Sequence, residues 1–167
     1  SEKIEDLIPD SPRILYIKIA AGLTLGAKRN FCVENASHDL IMHWDDDDWM
    51  ASNRIAYQVT ELLKADTDVC GINQMYYHQP STRKSWKYSY PKSNPKPWVA
   101  GNSLLYTRSF WAKYPFPDIQ VASDTDFLMS RDLSKILALD QIDFYVATIH
   151  KNNVSPKYTE HVVWHPI

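Results

Sequence analysis

The stretch Asp39-Leu40-Ile41-Met42-His43-Trp44-Asp45-Asp46-Asp47-Asp48-Trp49 decides how this chain is read. Residues 40–44 are an apolar run of strand length. Four carboxylates then stand in a row at the strand's exit. Like charges at the edge of a core repel one another and lose solvation, so they need compensation. A divalent cation supplies it most simply. Mg²⁺ and Mn²⁺ prefer hard oxygen ligands and commonly sit between carboxylates and phosphate. The run points to a metal site that handles a diphosphate. The competing reading is a solvated acidic loop, or a capping cluster for the helix that follows.

Working outward, residues Ile14–Ile17 read as a short strand. Thr24 is placed to cap a helix running to about Ala36, with Gly26 in its first turn and Ala27, Phe31 and Cys32 on its inner side. Strand, helix and the strand at 40–44 suggest a parallel α/β unit. A helix over 53–65 would place Ile55, Val59, Leu62 and Leu63 on one face. Val69–Ile72 is a strand. Residues 74–90 carry Tyr76, Tyr77, Trp86, Tyr88 and Tyr90 around a polar turn, which reads as a hairpin. Pro91–Pro97 is a rigid loop, 99–107 is extended, and a short helix stops before Pro115. A helix over 125–138 and a strand over 144–149 follow, then a tail without periodicity. One α/β domain spanning 1–167 accounts for the whole chain.

Composition narrows the function classes. A chain of 167 residues is long enough for one real core. A net charge of −2, with Lys and Arg scattered, provides no field for nucleic acid. No apolar run is long enough to span a membrane and no signal peptide is visible. A cytoplasmic domain is expected, either free or at the membrane periphery. Cys32 and Cys70 form no metal spacing and read as buried thiols.

Further chemistry is spread along the chain. Ser123-Asp124-Thr125-Asp126 opens a helix. Asp124 could serve as an N-terminal cap, or as a base that takes a proton from a hydroxyl. His150 lies just beyond a strand. It reads as a loop residue, or as an imidazole completing a metal shell. Lys28-Arg29-Asn30 is either a solvated helix face or an Arg fork and an amide turned toward phosphate or a nucleobase. No glycine-rich phosphate loop is present, which leaves the phosphate work to the cation.

These segments together resemble the family 2 glycosyltransferases of GT-A fold. The matching stretches are 25–30, 39–49, 98–103 (Trp98 to Ser103), 123–126 and 150–156. The resemblance implies a three-layer α/β sandwich with a mixed sheet, a nucleotide-sugar donor and a divalent cofactor, Mn²⁺ or Mg²⁺. It implies that Asp45 and Asp47 hold the metal with His150. Arg29, Asn30, Asp45, Asp46, Trp98 and Gly101 would then line the donor, and Asp124 would be the catalytic base. The implied reaction is inverting transfer of a sugar to a hydroxyl of a glycan, a lipid-linked acceptor or a protein. Ser123 departs from the usual Glu before the base. The family's Ile-Pro-Thr-type and Asp-Asp-Gly-Ser-type nucleotide segments do not occur here. The expectation is therefore an N-terminally truncated GT-A domain whose open sheet edges could be covered by a homo-oligomer. Two rivals remain: a non-catalytic sugar- and metal-binding module, and a metal-dependent phosphohydrolase or nucleotidyltransferase. Trp86 and Tyr88 could stack on an acceptor sugar or simply pack in the core.

Overall fold

The computed structural model describes residues 5–91, 97–129 and 133–167. Thr24 caps the first helix as expected. Its hydroxyl accepts the Ala27 amide, and α1 runs Leu25–Asn35. Gly26 is required there, because a Cβ would meet the Pro117 carbonyl oxygen at 1.9 Å. Its amide instead donates to Ile119 O, which locks α1 against the segment before the fourth helix.

The other helices are α2 (Arg54–Lys64), α3 (Arg108–Lys113) and α4 (Ser123–Met129). The strands are β1 (Leu40–Met42), β2 (Trp49–Met50), β3 (Val69–Gly71), β4 (Gln74–Gln79), β5 (Lys84–Ser89), β6 (Leu105–Thr107), β7 (Ile136–Ala138), β8 (Tyr145–Thr148) and β9 (Trp164–Pro166). They form two sheets, ordered β1-β6-β3-β7 and β2-β8-β4-β5-β9. In the first, β6 runs antiparallel to β1 and β3, while β3 and β7 are parallel. In the second, β4 pairs parallel with β8 and antiparallel with β5. Both sheets are thus mixed, and the architecture is a GT-A-like α/β sandwich.

The core has two parts. Val33 of α1, Tyr106, Phe110, Phe116 and Phe127 pack on one side of the first sheet, with Phe116 stacked on Phe127 at 4.0 Å. Leu62, Ile72, Met75, Tyr77, Phe144 and Tyr145 fill the space shared with the second sheet. Apolar burial of this kind is the main stabilising term.

Several expectations are corrected. Residues 14–17 form no strand, and all four side chains are exposed. Cys32 is exposed, and Gly26 and Val33 are the buried residues of α1, while Ala27 and Phe31 are half-buried. The buried face of α2 is Arg54, Gln58 and Leu62, whereas Ile55 and Leu63 are 55% and 66% exposed. Residues 136–138 are a strand, because their continuous apolar run fits a parallel neighbour beside β3. The predicted 125–138 helix is α4 at its start, a 3₁₀ turn over Leu133–Lys135 and then β7, with 130–132 outside the described residues. Residues 101–103 form a 3₁₀ turn inside the segment predicted to be extended. The tail contains β9. Of the Pro91–Pro97 loop, 92–96 lie outside the described residues. Among the described residues, no helix is long and apolar enough to cross a membrane.

Candidate active site

The acidic run leaves β1 and returns as β2. It therefore turns sharply at the junction of the two sheets. One ligand oxygen each from Asp45, Asp47 and Asp48 lies within 4.8 Å of the others, a set that could hold a divalent cation. Three hard oxygen donors fit Mg²⁺ or Mn²⁺. Asp46 is not in this group and its side chain is exposed.

The three carboxylates differ in what holds them. Asp48 accepts hydrogen bonds from the Tyr145 hydroxyl, the Thr148 amide (2.7 Å) and Asn102 Nδ2 (3.3 Å). It fastens the loop to β8. Asp47 Oδ2 lies 2.6 Å from His150 Nε2. The Asn152 amide donates to His150 Nδ1, so that nitrogen is the acceptor. Nε2 then carries the proton and donates to Asp47. The structure thus brings Asp47 and His150, both expected at a metal, into direct contact. Asp45 is pushed up to about 6, first by desolvation and then by Asp48, with Arg29 opposing.

Across the site, Asp124 lies in the first turn of α4. Arg29 Nη1 donates to Ser123 Oγ at 2.8 Å and lies 3.5 Å from Asp124 Oδ1. Arg29 therefore spans the two residues that open α4. Asn30 turns elsewhere: its amide bridges the Phe116 carbonyl, the Phe116 amide and the Trp111 indole. It holds α1 to α3 and does not face the acidic loop. Trp98 stacks on Tyr90 at 5.0 Å and lies 6.0 Å from Tyr88, in an aromatic group that continues to Tyr77 and Trp164. Trp86 is buried, which favours packing over stacking on a sugar.

Gly101 is a point of close approach within the site. A Cβ there would meet Asp124 Oδ2 at 2.1 Å and Asp124 Cγ at 2.4 Å. The Asp124 carboxylate rests directly on the backbone of the 101–103 turn. Three side chains clasp that turn through successive carbonyls. His43 Nδ1 is 2.7 Å from Gly101 O, Arg54 Nη2 is 3.2 Å from Asn102 O, and Gln58 Nε2 is 2.9 Å from Ser103 O. Arg54 is fully buried, lies over the rings of Trp44 and Tyr145, and also donates to His43 O and Gln58 Oε1. His43 is lowered to about 4, chiefly by burial and then by Arg29. It is neutral at physiological pH.

Sequence reasoning missed four residues here. Asp48 lay inside the acidic run but had no local sign of its different role. Arg54 and Gln58 lay off the apolar face that the helix pattern marked. Lys157 lay in the tail without periodicity. Its half-buried ammonium is 6.0 Å from the Tyr77 ring centre. Burial lowers its pKa, while Asp124, Asp48 and Asp45 pull it back up. One ammonium thus feels the carboxylates of both halves of the site.

Comparisons with known proteins agree with this architecture. The structure of S. aureus TarS residues 1–349 in complex with UDP-GlcNAc matches 81% of this chain with a TM-score of 0.57 at 19% identity. The complex of the same TarS segment with UDP matches 75% with a TM-score of 0.54, also at 19% identity. The chain spans 42% and 40% of those structures, so the likeness is one of fold. No curated protein sequence matches it. The family model described as Glycosyl transferase family 2 covers residues 1–137, which takes in α1, the acidic strand exit, the 101–103 turn and Asp124; the chain belongs to that family.

Proposed function

We propose that this domain takes part in metal-dependent, inverting transfer of a sugar from a nucleotide-diphosphate sugar to a hydroxyl acceptor. One observation carries the reading: the 101–103 turn bears the Asp124 carboxylate at Gly101 and donates from Asn102 Nδ2 to Asp48 Oδ2 (3.3 Å), so base and acidic loop meet at one turn. Asp45 and Asp47 would hold Mn²⁺ or Mg²⁺, with Asp48 keeping their loop in place; His150 would join them only on giving up the Nε2 proton that bonds Asp47. When bound, such an ion neutralises charge on a diphosphate leaving group. Asp124 takes the acceptor hydroxyl's proton. The acceptor oxygen bonds to the anomeric carbon as the bond from that carbon to the phosphate oxygen breaks. The electron pair leaves with the nucleoside diphosphate, and one displacement inverts the configuration. Arg29 steadies the Asp124 carboxylate.

The first test is calorimetry with Mn²⁺ and a nucleotide sugar. Asp47→Ala is expected to abolish Mn²⁺-dependent donor binding while the fold is retained. Folded wild-type protein that binds no donor would favour the binding-module reading for this chain. Metal affinity should also fall with pH. Asp45 becomes neutral below about 6 and ceases to be an anionic ligand, so Mn²⁺ binding at pH 5 should be weaker than at pH 7. Equal affinity at both values would remove Asp45 from the ligand set.

Gly101→Ala probes the other half of the site. The added methyl must push the Asp124 carboxylate off the turn. Turnover is expected to fall by about 100-fold, since small misplacements of a reacting group have effects of that order. Mn²⁺ binding should be unchanged. An alanine variant of normal activity would mean that Asp124 does its work from another position.

A further inference from the structure

We infer that His43 is a positioning residue for Asp124, acting through the carbonyl of Gly101. The inference rests on the transferase reading only for its kinetic arm. His43 directly follows β1, and its ring lies against the buried rings of Tyr106 and Phe116. Its Nδ1 lies 2.7 Å from Gly101 O, and its Nε2 lies 3.2 Å from the Tyr106 hydroxyl. A carbonyl can only accept, so Nδ1 carries the proton and Nε2 accepts from Tyr106. The tautomer is therefore fixed by a partner on each side. The ring is further held by Tyr106 edge-on and by Phe116, both at 5.5 Å. Its own backbone amide donates to Leu104 O at 2.9 Å, on the far side of the same turn.

The imidazole thus holds the Gly101 carbonyl, and the Asp124 carboxylate rests on the same residue. Gly101 has no side chain to separate them. The position of the Gly101 backbone sets where the carboxylate can rest, and His43 sets the position of that backbone. Arg54 and Gln58 clasp the next two carbonyls, but neither reaches the residue that touches Asp124. The link from His43 to Asp124 is the short one.

Two amide substitutions separate positioning from mere filling of the core. His43→Asn places its NH₂ near the Nδ1 position and keeps the donor to Gly101 O. His43→Gln places its NH₂ near the Nε2 position, toward Tyr106, and loses that donor. Both introduce a similar polar group, so their thermal midpoints should be close. With wild-type donor affinity in each, His43→Asn should stay near wild-type turnover and His43→Gln should lose about 100-fold. Equal turnover in the two variants, or a loss confined to KM, overturns the inference.

A second readout holds even for a protein that turns nothing over. Long-range proton–nitrogen spectra should show His43 as the Nδ1–H tautomer. The amide signals of Gly101 and Asp124 should move in His43→Gln and stay in place in His43→Asn. An Nε2–H tautomer, or unmoved signals in His43→Gln, overturns the inference by itself. Absence of donor binding by the wild type instead counts against the transferase reading alone.

Discussion

Asp124→Asn is expected to reduce sugar transfer by about a thousandfold, the middle of the range for loss of a positioned general base. Asn has the size of Asp and can rest on Gly101 in the same way, so the substitution removes basicity and little else. Arg29 keeps its 2.8 Å bond to Ser123 Oγ and therefore its place. Mn²⁺ binding and donor affinity should survive, because Asp45 and Asp47 lie on the other side of the site. The measurement is turnover at saturating donor and metal, alongside calorimetry on the same preparation. A loss smaller than tenfold would assign the proton to another group. A loss that appears only as weaker donor binding would make Asp124 a binding residue.

Arg54→Met should have the largest effect on stability, about 3–5 kcal/mol, in line with removal of one member of a buried charged network. Arg54 is 0% exposed. Its loss leaves the buried Gln58 Oε1 and the part-buried His43 O and Asn102 O without their donor. Each buried acceptor left unpaired costs about 1–3 kcal/mol. Met has a suitable volume but no donor. For a domain of this size the unfolding midpoint should drop by about 10 °C. Ile55→Ala, on the adjacent exposed position, serves as the control and should change stability by less than about 0.5 kcal/mol. Similar melting of the two variants would show that the carbonyl clasp contributes little.

That pair of substitutions also marks where sequence reasoning stopped. The periodicity of α2 favours Ile55 and Leu63 as inward residues, yet they face outward and Arg54 and Gln58 face in. Periodicity ranks side chains by polarity, and it has no term for a turn forty residues away that presents three bare carbonyls. Elements governed by nearby chemistry were legible: the Thr24 cap, the aromatic hairpin β4–β5, the acidic strand exit and Asp124 at a helix start. The family resemblance singled out Arg29 and His150; local sequence gave no sign of their contacts with Asp124 and Asp47. Asn30 was misassigned toward the ligand, since an amide beside an Arg gives no sign of which way it turns. The strand at 136–138 was hidden because a short apolar run following a helix has no period of its own. Lys157 had no local signal at all. Its importance arises only when the segment after β8 folds back over Tyr77.

The segment that carries Lys157 runs from His150, bound to Asp47, to Trp164 in β9, which pairs with β5. Both ends are pinned, one on the acidic loop and one on the second sheet. A cation that draws Asp47 away from His150 would therefore release one end of this segment. Loosening of the residues between the two pins should accompany Mn²⁺ binding, read as faster amide exchange there.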